Sequence, residues 1–248
     1  MLLNCKNGSN SHNIIIREKM KNIFLVDADD TILDFHGASA LALKGAFENC
    51  GIAWQDVYAD VFKTLNDGLW ESLERKELTR KELIEKRFPL YLQTLGINEV
   101  DGAEFNRQYL HVLATKPIFV QGAERFLTEL GKLGCVYIVT NGTEYIQKSR
   151  FEISGLWNYI ENAFISDCIG VDKPAKGYTD YVLSHIPNFQ REKAVWIGDS
   201  LSADIKAANE AGIESIWFNP KKKPLNGKAK PQHIAVDFDE IIHILCKI

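Results

Sequence analysis

The chain has 248 residues, of which 46% are hydrophobic and 25% are charged. These values are typical of a globular protein with a sizeable core and exclude a disordered one. The formal net charge of −4 argues against a general nucleic-acid-binding protein, and no apolar run approaches the ~20 residues that span a bilayer.

An extension is predicted at the start of the chain, and the first strand comes directly after it. Residues 1–20 begin with an Asn- and Ser-rich stretch and are predicted to lie outside the folded core. Residues 23–26 form an unbroken apolar run, which is typical of a buried strand in a parallel sheet. Asp27 and Asp29 follow directly. Because ligands of such sheets bind beyond the carboxyl ends of the strands, we expect both carboxylates in a functional crevice.

Residues 35–116 contain helical patterns and no convincing strand. Amphipathic helices are predicted around residues 38–50 and 57–74. The capping-box pattern Thr79-x-x-Glu82 predicts a further helix towards Leu95, which Pro89 should kink or break. An insertion directly after the first strand hangs over the carboxyl end of that strand. It is therefore placed to act as a lid on the crevice.

Strands and helices alternate beyond residue 117. This order is typical of right-handed βαβ units, so the fold class is α/β, with a parallel-sheet, Rossmann-like, three-layer core. We assign residues 21–34 and 117–248 to this core and residues 35–116 to the helical insertion. The predicted strands are 135–139, 163–165, 194–198, 215–218 and 233–236, and the predicted helices are 123–133, 144–153, 178–185, 202–211 and 239–246.

The five cysteines are scattered and form no Cys-x-x-Cys pair. This usage is typical of free thiols in a reducing compartment, which favours a cytoplasmic protein without disulfides or a zinc site. Cys135 and Cys168 are expected to be buried as small apolar groups.

Four polar segments follow predicted strands and are expected to converge at one edge of the sheet. Carboxylates brought so close together would repel one another, so a hard cation is expected between them. A site of oxygen ligands with open water positions suits Mg²⁺. The segments are Asp27-Ala28-Asp29-Asp30-Thr31, Thr140-Asn141-Gly142, Lys173-Pro174 and Gly198-Asp199-Ser200-Leu201-Ser202-Ala203-Asp204.

These residue types fit phosphoryl transfer. An ionised Asp27 beside Mg²⁺ can attack phosphorus and form an aspartyl-phosphate. The Lys173 ammonium and the Thr140 hydroxyl can stabilise the charge on the phosphoryl oxygens. Asp29 can protonate the leaving oxygen and then deprotonate the hydrolytic water.

The four segments together resemble those of the haloacid-dehalogenase-like hydrolase superfamily, over about residues 21–247. The resemblance implies that Asp27 is the nucleophile and Asp29 the general acid and base, with the Asp29 backbone carbonyl also binding Mg²⁺. It further implies that Asp199 ligates Mg²⁺, and that Asp204 supports the metal through water or orients Lys173. The helical insertion resembles the α-helical cap of this superfamily.

The resemblance also bears on the phosphate. It implies that Thr140 and Lys173 hold the phosphate group, and we place Asn141 among the substrate-binding residues with them. Asp29 favours phosphoryl chemistry over a 2-haloacid dehalogenase, because displacing halide needs no proton on the leaving group. A phosphomutase remains an alternative. A phospho-accepting signalling domain is more distant, because such domains place the accepting Asp mid-chain and lack a helical lid.

A finer resemblance connects the chain to bacterial pyrimidine 5′-nucleotidases. It implies a small phosphorylated substrate, a pyrimidine nucleoside 5′-monophosphate, with another metabolite such as phosphoglycolate or a sugar phosphate as the alternative. Trp70 either stacks on the base or belongs to the helical core, and Phe35 and His36 are candidates for the leaving-group pocket. The motifs that carry the resemblance are Asp27-Ala28-Asp29, Asn66-x-x-Leu69-Trp70, Val139-Thr140-Asn141-Gly142, Val171-Asp172-Lys173-Pro174, Trp217-Phe218-Asn219 and Leu245-Cys246-Lys247.

The expected partners are limited. The lysine-rich loop around residues 221–230 lacks interleaved aromatic residues, so we expect a solvated loop and not a contact with a nucleic acid polymer. No membrane association is expected. A monomer and a homodimer both remain open.

Overall fold

The computed structural model describes residues 20–248, so the extension predicted for residues 1–20 lies, Met20 apart, outside the described residues. A six-stranded sheet with the order β3-β2-β1-β4-β5-β6 forms the centre of the molecule, and each neighbouring pair of strands is parallel. The strands are β1 (Ile23–Val26), β2 (Cys135–Thr140), β3 (Asn162–Ile165), β4 (Ala194–Gly198), β5 (Glu214–Phe218) and β6 (His233–Ala235). The predicted α/β fold with a parallel sheet is confirmed.

Helices form two groups. Those that accompany the sheet are α5 (Ala123–Leu133), α6 (Glu144–Ser154), α7 (Ser166–Ile169), α8 (Lys176–Ser184), α9 (Lys206–Ala211) and α10 (Phe238–Leu245). Those between β1 and α5 are α1 (Phe35–Asn49), α2 (Val57–Glu74), α3 (Arg80–Thr94) and α4 (Gly102–Ala114), and we call residues 35–114 the helical segment. Short 3₁₀ turns at Leu156–Tyr159 and Arg191–Lys193 and a π-helix at Leu201–Ile205 complete the elements.

The continuous apolar run of β1 is explained by burial on both faces of the sheet. Phe24 and Val26 join a core cluster on one face, which includes residues of α5 and α10. Ile23 and Leu25 join the cluster on the other face, with residues of α8 and α9. Successive side chains of a strand point to opposite faces, so a strand between two helical layers must be apolar at every position.

The helical segment has a hydrophobic cluster of its own, which is rich in aromatic rings. Phe62 of α2 stacks on Phe88 of α3 with 5.3 Å between ring centroids. The helix starts are fixed by side chains at their N-caps: Asp34 accepts from the N–H of Gly37 at α1, and Thr79 forms the predicted capping box with Glu82 at α3. Such caps satisfy backbone donors that the first turn leaves unpaired.

Some sequence-based expectations are wrong in detail. The break predicted as one effect of Pro89 does not occur: helix α3 continues through the proline, because buried residues on both sides hold the helix against its neighbours. The helix predicted at 202–211 begins as a π-helix over Leu201–Ile205. Cys135 and Cys168 are exposed: the first is the amino-terminal residue of β2, and the second lies in the single-turn helix α7. Within residues 20–248, no helix is long and apolar enough to cross a membrane.

Candidate active site

Two acidic side chains follow the carboxyl end of β1. Asp27 extends the sheet, because its N–H donates to the carbonyl oxygen of Ile197 in β4 at 2.9 Å. The chain then turns sharply, and the N–H of Leu33 donates back to the carbonyl oxygen of Ala28. Asp27 is thereby nearly buried between β1 and β4, while Asp29 lies two residues further along, in the turn. This is the edge of a parallel sheet where ligands bind.

Lys173 is the buried cation of this site. Its ammonium donates to Asp27 Oδ1 at 2.6 Å, to Asp204 Oδ1 at 2.6 Å and to the carbonyl oxygen of Val139 at 2.7 Å. Although burial alone would lower the pKa of Lys173, the carboxylates of Asp204 and Asp27 raise it above its usual value. Lys173 therefore stays charged, with all three of its donors in use.

Asn141 fixes the backbone of Lys173. Its Nδ2 donates to the Lys173 carbonyl oxygen at 2.9 Å, and its Oδ1 accepts from the Lys173 N–H at 2.7 Å. This pair of hydrogen bonds joins the loop after β2 to the loop that carries the lysine. Asn141, which we predicted to bind substrate, lines the cavity but uses its amide on this loop.

Three carboxylates meet at the junction of the loops after β1 and β4. Oxygen atoms of Asp27, Asp199 and Asp204 all lie within 4.8 Å of one another. Burial raises the pKa of Asp27 to about 8, although Lys173 opposes the shift. Burial, followed by the charges of Asp27, Asp30 and Asp204, raises the pKa of Asp199 well above its usual range. The protein alone therefore does not balance the negative charge at this point.

This charge balance and the ligand chemistry fit a divalent metal ion. When all three carboxylates are ionised, the single ammonium of Lys173 leaves two negative charges in excess. Oxygen donors on loops from different strands, with a cavity beside them, match the preferences of Mg²⁺. Asp204 is buried and accepts a hydrogen bond from Lys173 at 2.6 Å, which is the contact that the predicted role of orienting this lysine would need.

Asp29 is held by two residues that the sequence analysis did not identify. Arg150 Nη1 donates to Asp29 Oδ1 at 2.6 Å, and Gln147 Nε2 donates to Asp29 Oδ2 at 2.8 Å. Gln147 Nε2 also donates to Thr140 Oγ1 at 2.9 Å, and its Oε1 accepts from Arg150 Nη1 at 2.9 Å. Both side chains are buried in α6. One network thus joins the carboxylate of Asp29 to the hydroxyl of Thr140.

The sequence does contain a signal for this network. Gln147 and Arg150 lie three residues apart, on the same helix face as the buried Ile146 and Phe151. A glutamine and an arginine on the apolar face of a helix need buried partners. The helix follows the predicted Thr140 segment directly, so those partners could have been sought at the crevice.

A cavity of about 260 Å³ is lined by the predicted site residues and by residues of the helical segment. All eight predicted residues line it: Asp27, Asp29, Trp70, Thr140, Asn141, Lys173, Asp199 and Asp204. The helical segment contributes Trp70 together with Phe35, His36, Asn66, Asp67 and Glu71. Trp54 and Phe62 do not line this cavity and instead pack in the aromatic cluster of the helical segment.

Arg80 connects the helical segment to the core beside this cavity. At the start of α3, its guanidinium forms an ion pair with Asp172 and donates to Ser166 Oγ at 2.6 Å. It also lies 5.5 Å from the ring centroid of Trp70, a cation–π contact. Because Asp172 precedes Lys173, these contacts tie the orientation of Trp70 to the loop that carries the buried lysine.

Comparison with known proteins finds relatives that match most of the chain. A family model described as haloacid dehalogenase-like hydrolase matches residues 21–212. The chain is 38% identical over 227 residues to the HAD-hydrolase YfnB of Bacillus subtilis, which covers 92% of this chain and 96% of that protein. A crystal structure of YfnB is described as bound to magnesium and as revealing interdomain movement. It matches this chain with a TM-score of 0.87, and the match covers 92% of this chain and 99% of the YfnB chain.

Two further relatives carry the name pyrimidine 5′-nucleotidase. PynA of Streptococcus pneumoniae is 34% identical over 224 residues, which are 90% of this chain and 94% of PynA. YjjG of Escherichia coli is 26% identical over 221 residues, which are 89% of this chain and 96% of YjjG. The similarity to each relative extends over most of both chains.

Proposed function

Because the chain belongs to the haloacid dehalogenase-like hydrolase family, we propose that it is a Mg²⁺-dependent phosphomonoester hydrolase. We propose further that it acts through an aspartyl-phosphate and that its substrate is a pyrimidine nucleoside 5′-monophosphate. The observation that carries the proposal is that a buried Asp27 and a second carboxylate, Asp29, lie two residues apart at the carboxyl end of β1 and line one cavity. A phosphate ester needs both groups, because its leaving oxygen must receive a proton.

In the first half of the reaction, Asp27 acts as the nucleophile. Lys173 holds its Oδ1, and within residues 20–248 no donor contacts its Oδ2, which leaves that oxygen to attack phosphorus. The bond between phosphorus and the ester oxygen breaks, and Asp29 gives its proton to that oxygen. The Thr140 hydroxyl, held by Gln147, is the donor offered to the phosphoryl oxygens.

In the second half, Asp29 acts as the base and Asp27 is the leaving group. Asp29 takes a proton from water, the water oxygen bonds to phosphorus, and the bond to Asp27 breaks to release phosphate and restore the carboxylate. Arg150 and Gln147 keep Asp29 in place for both proton transfers. Lys173 acts through its fixed positive charge beside Asp27, since all three of its donors are in use.

Asp27, Asp199 and the backbone carbonyl of Asp29 are the groups that would hold Mg²⁺, with Asp204 behind them. When bound, the ion supplies positive charge that offsets the excess of carboxylates and attracts the substrate phosphate. The helical segment would serve as the cap that covers the crevice, and its residues would select the leaving group.

The substrate class is proposed from the two nucleotidase relatives and from the cavity. Trp70 and Phe35 give the cavity aromatic surface on the side of the helical segment. Such surface holds a flat base but discriminates weakly between close analogues, by about 1–3 kcal/mol per small group. Acceptance of uracil, thymine and modified pyrimidine monophosphates is therefore expected, while the larger purines are excluded by size.

A phosphate-release screen with Mg²⁺ tests this proposal. The panel comprises dUMP, dTMP, UMP, AMP, phosphoglycolate and hexose phosphates, with Asp27→Asn as the inactive control and halide release from a 2-chloro acid as the control for the dehalogenase alternative. We expect the pyrimidine nucleotides to give the highest kcat/KM. If phosphoglycolate or a hexose phosphate is preferred by more than about tenfold, the nucleotidase proposal is wrong while the phosphatase proposal stands. Stable labelling of the protein without turnover would instead favour a phospho-accepting domain.

A further inference from the structure

Asn66 presents an unused hydrogen-bond donor to the cavity. It lies in α2, one helical turn before Trp70, and both residues line the cavity that contains Asp27 and Lys173. The side chain of Asn66 is only 2% exposed. Within residues 20–248, no protein acceptor contacts its Nδ2 atom.

The orientation of the Asn66 amide is fixed from behind by Arg87. Arg87 Nη1 donates to Asn66 Oδ1 at 3.3 Å, and Arg87 Nη2 donates to Asn106 Oδ1 at 3.2 Å. A guanidinium can only donate hydrogen bonds, so Asn66 must turn its oxygen towards Arg87. Its NH₂ group is then turned away from Arg87 and is available to the cavity that Asn66 lines.

The position of Arg87 is itself unusual and well defined. The side chain is buried, and its guanidinium lies 4.8 Å from the ring centroid of Phe88 and 5.3 Å from that of Tyr109. Across residues 20–248, the guanidinium of Arg87 donates only to the side-chain amides of Asn66 and Asn106, and no carboxylate pairs with it. A buried cation without a carboxylate is costly. Its stabilisation by aromatic faces and amide oxygens leaves those amides little freedom to rotate.

We propose that Asn66 is a specificity-determining residue, whose Nδ2 donates a hydrogen bond to a ring carbonyl oxygen of the nucleobase. This inference rests on the proposed function and deepens it. A donor on a side chain that is almost entirely buried and held in one orientation gains most from an acceptor on the substrate. Every natural pyrimidine base carries at least one ring carbonyl, whereas a sugar phosphate without a base offers none. Trp70, on the same face of α2, contributes the flat surface beside this donor.

Asn66→Asp is the sharpest test, because it changes the cavity group from a donor to an acceptor at nearly constant shape. The new carboxylate would keep its contact with Arg87 and strengthen it through charge. Asn106→Asp is the matched control: it places the same carboxylate on the other side of Arg87, and Asn106 does not line the cavity. Asn66→Ala is a second variant that removes the donor without adding charge.

The readout is the ratio of kcat/KM for dUMP to that for 2-deoxyribose 5-phosphate, which has the same sugar and phosphate but no base. This ratio cancels changes in phosphate binding that an added carboxylate causes. We expect Asn66→Asp and Asn66→Ala to lower the ratio by at least about tenfold, and Asn106→Asp to leave it within about twofold of the wild-type value. Thermal unfolding of each variant checks that the fold is intact.

The outcomes separate the two proposals. An unchanged ratio in both Asn66 variants, or an equal fall in Asn106→Asp, overturns the role of Asn66 while phosphatase activity stands. A wild-type protein that hydrolyses dUMP and 2-deoxyribose 5-phosphate equally well also overturns it, because no contact with the base would then contribute. If the wild-type protein hydrolyses neither compound nor an aryl phosphate, the proposed function fails, and the role of Asn66 fails with it.

Discussion

Replacement of Asp199 by Asn should change stability in opposite directions with and without Mg²⁺. Oxygen atoms of Asp199, Asp27 and Asp204 lie within 4.8 Å of one another, and Lys173 neutralises only one of the three charges. Without metal, the substitution removes repulsion from this cluster. With metal, it removes a carboxylate that we propose as a ligand. The same change is therefore expected to stabilise one form and to weaken the other.

The size of the first effect follows from Coulomb's law. At 4.8 Å and an effective dielectric constant of about 20, two like charges repel by about 3 kcal/mol. Asp199 is half-buried, and Lys173 partly offsets the repulsion. Protonation of Asp27, whose pKa is raised to about 8, relieves more of it at neutral pH, so we expect a net gain of roughly 1–2 kcal/mol for the metal-free Asp199→Asn variant. For a chain of this size, such a gain raises Tm by roughly 2–8 °C.

The second effect is set by ligand binding. At a Mg²⁺ concentration of about 100 times Kd, binding stabilises the wild-type protein by about 2.7 kcal/mol, which raises Tm by roughly 5–10 °C. The Asp199→Asn variant should gain much less from the same concentration. The order of the two melting temperatures should therefore reverse when Mg²⁺ replaces the chelator.

Thermal unfolding followed by circular dichroism, in chelator and in Mg²⁺, measures both effects. Asp180→Asn is the matched control, because Asp180 lies on α8, is exposed and pairs only with Lys176 among residues 20–248. Its Mg²⁺-dependent shift should equal that of the wild-type protein. The reasoning is refuted if Asp199→Asn lowers the metal-free Tm, or if it gains as much from Mg²⁺ as the wild-type protein does.

The same cluster predicts a pH dependence. The pKa of Asp27 is raised from 3.8 to about 8 in the folded protein. At a pH between these two values, the folded state therefore keeps a proton on Asp27 that the unfolded state has released. Stability of the metal-free protein should therefore fall as pH rises from 6.5 to 8 and be recovered as pH falls. Urea unfolding at both pH values tests the sign, and a rise in stability over this interval would contradict it.

Three further substitutions test individual contacts. Asp29→Asn should reduce kcat more for a nucleotide than for an activated aryl phosphate, since a good leaving group needs no proton; equal losses would count against the acid–base role. Gly198→Ala places a Cβ 2.6 Å from that of Asp204 and should lower kcat by roughly 100-fold, whereas Gly131→Ala, which meets nothing within 4 Å, should leave it unchanged. Arg80→Ala removes the ion pair with Asp172 and the hydrogen bond to Ser166 and should raise KM for a nucleotide, and an unaltered KM would argue against the importance of these contacts.

The sequence by itself determined the sheet and the charged groups at its edge. A run such as residues 23–26 can be stable only when both of its faces are buried, and polar residues directly after such a strand must lie at its carboxyl end. The positions of Asp27, Thr140 and Asp199 therefore follow from local pattern and chain order, whereas Lys173 lies further on, in the connection between β3 and α8. The Thr79 capping box could be predicted for the same reason, because its bonding partners lie within one turn.

Tertiary structure decided which side chains complete the site. Helical periodicity indicates that Gln147 and Trp70 lie on particular faces of α6 and α2, but not what those faces contact. Only packing places Gln147 against Asp29, directs Trp70 towards the cavity and assigns Phe62 to the core of the helical segment. These contacts join residues far apart in the chain, and their free energy depends on atoms that no local pattern specifies.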